Sequence, residues 1–87
     1  MENLKMLYTN YRLCETLCDA ADSAWEKDPE NEELEAAFDR SYEMEFEARN
    51  ALINGIVSFT SGRIDAALAR KMLGSKREEL EALMSSI

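Results

Sequence analysis

Leu4, Leu7, Tyr11, Cys14, Cys18, Ala21 and Trp25 follow one another at alternating intervals of three and four residues. Side chains at this spacing fall on one face of an α-helix, because 3.6 residues complete a turn. Tyr8 and Leu17 widen the stripe, and neither Gly nor Pro interrupts the stretch from Glu2 to Lys27. A helix of about 25 residues is roughly 38 Å long. An apolar seam of that length needs a cover of similar length, either a second segment of the chain or a second copy of it.

The sequence supplies such a segment. Asp28-Pro29-Glu30-Asn31 interrupts the first helix, since Pro is excluded from a helix interior but suits a helix start. Asp28 is placed to cap a second helix, with Asn31 as the alternative cap a few residues later. From Pro29 or Glu30 to Phe59 two apolar stripes run side by side. One is Leu34, Phe38, Ala48, Leu52, Ile56 and Phe59; the other is Tyr42, Phe46, Ile53 and Val57. A helix apolar on two sides sits between neighbours. Met44, Phe46 and Ala48 alternate as in a strand, but the surrounding Glu, Ala, Arg and Leu favour helix.

Thr60-Ser61-Gly62-Arg63 ends the second segment, with Gly62 as the expected left-handed residue. Asp65 is placed to cap a third segment, and Ile64 to close its start hydrophobically. Leu68, Met72 and Leu73 face inward. Gly74-Ser75 then divides or kinks the segment, and Ser75 and Glu78 stand at capping-box spacing. Leu80, Leu83, Met84 and Ile87 form the last apolar face. The expected fold is all-α: a long antiparallel helical hairpin with a third, kinked or divided, C-terminal helical segment packed across it, similar to a three-helix bundle. At 87 residues, 46% of them hydrophobic, the chain forms a single domain over residues 1–87 with a thin core. A homodimer through Leu4, Leu7, Tyr11 and Trp25 would be a natural supplement to that core.

Much chemistry is excluded by composition. There is no His, so imidazole acid–base work and His-based triads are ruled out. Gly55, Gly62 and Gly74 are scattered and make no phosphate loop. The acids lack the Glu-x-x-His pattern of di-iron bundles. Cys14 and Cys18 coincide with the apolar seam and read as small buried residues; a zinc site would need two more ligands. We therefore expect no enzyme, no cofactor and no resident metal. Met1 to Arg12 lacks the apolar core of a signal peptide, and no stretch approaches a membrane span. The expected compartment is the cytoplasm, the host cell's cytoplasm for a viral protein.

Charge is the remaining signal. The net charge is −8, which argues against direct contact with nucleic acid or an anionic membrane and for a basic protein partner. Between Glu15 and Glu47 thirteen acids are opposed only by Lys27 and Arg40. Glu15, Asp19, Asp22 and Glu26 form one helical stripe, and Glu32, Glu35, Asp39, Glu43 and Glu47 a second. Helical neighbours four apart are about 6 Å apart, close to the spacing of phosphates along one nucleic-acid strand. The stripes therefore read either as a solvated face or as a surface matched to a basic groove. Arg63, Arg70, Lys71, Lys76 and Arg77 crowd a short later stretch with one acid, Asp65. They read either as an intramolecular complement to the acidic hairpin or, through Arg63, Lys71, Lys76 and Arg77, as an anion or nucleotide site.

The run Phe59-Thr60-Ser61-Gly62-Arg63-Ile64-Asp65, with Ala69-Arg70-Lys71-Met72 and Lys76-Arg77-Glu78-Glu79-Leu80, resembles the tail of small proteins of phages and prophages of gut Firmicutes, over the last third of the chain. In size, acidity and absence of catalytic residues the chain also resembles phage-encoded anti-CRISPR proteins. That second similarity is one of type and transfers no residue roles. It implies an inhibitor whose acidic face occupies a basic, nucleic-acid-binding surface of a host defence effector such as a Cas nuclease. A homo-oligomeric assembly module and a sponge for a nucleotide signal are the alternatives.

Overall fold

A computed structural model describes residues 3–87 as four α-helices, with no strand among them. They are α1 (Leu4–Lys27), α2 (Glu32–Phe59), α3 (Ala66–Leu73) and α4 (Arg77–Ser85). The hairpin of α1 and α2 forms as the seam requires. The third segment is divided rather than kinked, into two short helices. The expected start at Glu2 lies outside the described residues. Asn3 caps α1, its side chain accepting from the Lys5 and Met6 amides.

The turn between the long helices uses the alternative cap. Asp28 closes α1 instead of opening α2, donating its backbone N–H to the Trp25 carbonyl. Pro29 explains this, because a residue before Pro is pushed out of the helical region; Asp28 sits at φ −145°. Asn31 caps α2, its Oδ1 accepting from the Glu33 and Leu34 amides while its Nδ2 donates to Asp28 Oδ2 at 3.3 Å. An amide performs both tasks, which a carboxylate could not.

After α2 the chain reverses through a Schellman arrangement. The Gly62 amide donates to the Val57 carbonyl and the Ser61 amide to that of Ser58. The first left-handed residue is thus Ser61, at φ 53°, with Gly62 following at 83°. The expected glycine is left-handed, but the position glycine normally fills is held by a serine. Thr60 fixes the reversal from inside. Its buried hydroxyl donates to the Ile56 carbonyl at 2.9 Å and accepts from the Ile64 amide at 3.1 Å.

Asp65 caps α3 as expected, accepting from the Leu68 amide. The Ser75 capping box does not form: Lys76 occupies the N-cap of α4 and its side chain makes no cap bond. The α3–α4 junction is closed from the other side, by Arg77, whose Nη2 and Nε both donate to the Leu73 carbonyl.

Leu52, Ile56 and Leu80 are fully buried and mark the centre of the core. Around them pack Leu4, Tyr11 and Cys14 of α1, Ala48 and Ile53 of α2, Ala69, Met72 and Leu73 of α3, and Met84 of α4. The core stops near Cys14 and Ala48 because α3 and α4 are short. Helices of 8 and 9 residues reach only about 12–14 Å each, against about 36–42 Å for α1 and α2. The molecule measures 46 × 26 × 21 Å. It has two unlike ends: a four-helix bundle holding the termini of the hairpin, and a bare two-helix arm over roughly residues 18–46.

Candidate partner-binding site

The arm is held by a narrow seam. Trp25 stacks on Phe38 with ring centroids 5.8 Å apart, and Phe38 meets Tyr42 at 6.3 Å. Between these rings and the core the seam turns polar. Ser41 donates to the Ala37 carbonyl, and the mostly buried Glu45 pairs with Arg49 one turn on. Cys18 is buried there; burial, with Glu45, Asp19 and Asp22 nearby, raises its thiol above the ordinary value. A protonated, buried thiol is a poor nucleophile. Cys14 is buried too, so both cysteines lie inside the seam as their spacing predicted.

The acidic stripes follow the face that α3 and α4 cover. Glu15 lies against α4, where Arg77 forks onto it through two bonds of 3.1 and 3.0 Å. Asp19, Asp22 and Glu26 follow Glu15 at four, seven and eleven residues, so they continue its face along α1. Phe46 lines a cleft with Arg70 and Leu73 of α3 and with its C-cap, Gly74. Asp39 and Glu35 precede it by seven and eleven residues on α2, and Glu43 and Glu47 flank the dimple between Tyr42 and Phe46. Glu32 stands in the first turn of α2, where the helix dipole favours a carboxylate. Of these acids other than Glu15, seven lie on the arm, and Glu47 stands just past its end, beside Leu7, Asn10 and Cys14. None of the ion pairs among the described residues involves any of these eight.

The pairs that do form sit at or next to the bundle. Arg77 holds Glu15 and lies over the Tyr11 ring at 5.8 Å. Its hydrogen bonds to the Glu15 carboxylate hold its guanidinium far above its ordinary value. Arg12 reaches Glu15 at 3.6 Å and Glu81 at 3.4 Å, and Tyr8 donates its hydroxyl to Glu81. Among the described residues, intramolecular complementarity between the basic third segment and the acidic hairpin is thus realised at one point only, Glu15.

The basic residues named from sequence are dispersed. Arg77 is occupied by Glu15 and Leu73, Arg63 donates its Nε to the Thr60 carbonyl at the end of α2, and Lys71 and Lys76 are exposed. Sequence reasoning passed over Arg49 and did not single out Arg70. Their proximity across α2 and α3 has no local signature. The proposed dimer seam is spent inside the chain: Leu4 and Tyr11 lie in the core, Leu7 packs against it, and Trp25 is stacked on Phe38. The large apolar side chains left exposed are others, among them Met6, Leu13 and Leu17 on α1 and Tyr42, Met44 and Phe46 on α2. No helix among the described residues is long and apolar enough to cross a membrane. Comparison of the chain with protein-family models, with curated proteins and with solved structures gives no match.

Proposed function

We propose that this chain is a non-enzymatic inhibitor of the phage type, whose acidic arm occupies a basic nucleic-acid-binding surface on a host defence effector such as a Cas nuclease. The observation that carries the reading is the unanswered charge of the arm. Asp19, Asp22, Glu26, Glu32, Glu35, Asp39, Glu43 and Glu47 have no basic partner among the described residues, while Glu15, at the edge of the bundle, has two. Like charges one turn apart destabilise a helix by a few tenths of a kcal/mol each. An arm that carries them on a thin seam gains nothing in stability from them, whereas a partner with a basic groove would neutralise them and associate fast. Half-exposed Tyr42 and Phe46 lie among these acids and would act as apolar anchors within a charged rim.

The test is competition. The purified chain is added to a panel of Cas nucleases loaded with guide, and target-DNA binding is measured at low and high salt. Inhibition that weakens with salt and disappears in Asp19→Lys/Asp22→Lys/Glu43→Lys supports the reading. Inhibition untouched by the three reversals would exclude the arm as the contact surface.

The alternative, a homo-oligomeric assembly module, is favoured by a separate observation. Met6, Leu13 and Leu17 share one face of α1 and remain exposed. An oligomer would use that face and not the buried seam. A Leu13→Glu/Leu17→Glu variant with unchanged mass in sedimentation would remove this reading.

A further inference from the structure

A cleft of about 440 Å³ opens where α3 ends against α2. One wall is Phe46, Arg49 and Asn50, a single face of α2; the other is Arg70 and Leu73 in the last turn of α3 and its C-cap, Gly74; Tyr11 of α1 also lines it. It lies at the bundle edge, and its chemistry is opposite to that of the arm. No carboxylate lines it, although acids outnumber bases 18 to 10 in the chain. Two arginines do. Arg49 is steadied by Glu45, which neutralises it in part. Arg70 forms no ion pair with any described residue, so the cleft keeps a positive charge. Tyr11 adds no negative charge, because burial first, and the nearby Glu15 second, raise its phenol above the ordinary value. Phe46 is 52% exposed and offers one face of a ring.

Each component selects for part of a ligand. Guanidinium groups fork onto phosphate or carboxylate oxygens. An exposed phenyl ring selects for a flat aromatic system in offset stacking. The volume lies at the lower end of small-molecule sites, which span about 300–1,000 Å³. We propose that this cleft binds a small aromatic phosphate of nucleoside-monophosphate size, its ring on Phe46 and its phosphate between Arg70 and Arg49, with the Asn50 amide at the same wall. The site shares Phe46 with the surface proposed above for the partner, so ligand and partner would compete for that ring, while Arg49, Asn50 and Arg70 belong to the cleft alone.

The test uses the full chain and nuclear magnetic resonance titration of backbone amides. The ligands are adenosine monophosphate, uridine monophosphate, phenyl phosphate, adenosine and inorganic phosphate. The expected result is saturable shifts at Asn50, Leu73 and Gly74 with a nucleoside monophosphate, at a Kd on the order of 0.1 mM. Adenosine and inorganic phosphate should each bind at least about tenfold more weakly. Arg70→Ala and Phe46→Ala alter exposed side chains and should keep the melting temperature while each weakening binding about tenfold or more. Lys71→Ala removes the same charge one residue away, outside the cleft, and should leave binding unchanged. The proposal is overturned if no shift appears up to about 5 mM ligand. It is equally overturned if Phe46→Ala binds as well as the parent, or if Lys71→Ala weakens binding as much as Arg70→Ala, which would mark non-specific charge attraction.

Discussion

At one end of the molecule α1 and α2 are covered by α3 and α4, and three arginines tie down Glu15, Glu45 and Glu81 at or near that end. At the other end the same two helices run on alone, joined by stacked rings and lined with unpaired acids. The sequence changes character at the same place. Leu52, Ile53 and Ile56 in the bundle give way to Ser41 and Glu45 on the seam of the arm. The bundle holds most of the buried apolar side chains. The arm has instead kept repulsive charge and half-exposed rings, which cost stability and suit contact with another molecule.

The largest expected effect is in the bundle centre. Leu52→Ala should cost about 3 kcal/mol, whereas Phe38→Ala in the arm should cost about 1 kcal/mol; urea denaturation of both variants measures the gap. Equal losses would break the distinction between the two ends. Next, Arg77→Ala leaves the half-buried Glu15 with the longer Arg12 contact alone and opens the α3–α4 junction, for a loss of about 2 kcal/mol in urea denaturation.

Alkaline pH tests the boundary between the ends. Cys18 and Tyr11 both have folded values raised above those of the unfolded chain, chiefly by burial. Their contribution is complete below the unfolded values of about 9 and 10. It is lost as pH rises beyond them, because the unfolded chain then sheds protons that the folded chain keeps. Stability should therefore fall above about pH 9, and a Cys18→Ala/Tyr11→Phe variant should show a shallower fall in urea titrations between pH 8 and 11.

Ser61→Gly should gain about 1 kcal/mol, since it relieves a left-handed serine at the bundle end. Thermal unfolding checks this. The smallest effect lies in the arm: Asp22→Asn should raise stability by about 0.3 kcal/mol by removing like-charge contact. A loss there would mean that Asp22 has a stabilising role the charge pattern does not reveal.

The hairpin and its turn are legible in the sequence because they rest on local rules. The spacing from Leu4 to Trp25, Pro29, and the Asp65 cap each act within a few residues. The division at Gly74 is legible for the same reason. The exchange of Asp28 for Asn31 turned on a competition between two good caps, settled by the restriction Pro29 places on its neighbour. The Ser75 cap does not form, and the junction is held instead by Arg77, whose side chain serves the Leu73 carbonyl and Glu15 together. That second partner is 62 residues away in sequence, beyond any periodicity argument. The acidic stripes were visible as a pattern. Which acid the fold would claim, and that α3 and α4 would cover only half of the second apolar stripe, depended on how far two short helices reach. Arg49 and Arg70 come to line one cleft between α2 and α3 through tertiary packing alone.

The chain has a single tryptophan, Trp25, and its indole N–H is buried without an acceptor near the turn of the hairpin. Its emission is therefore a reporter of the arm alone. Red-shifted fluorescence that precedes the loss of helical circular dichroism would give the temperature at which the arm opens while the bundle is still folded. A partner seated on the arm would move the fluorescence transition and leave the onset of the second where it was.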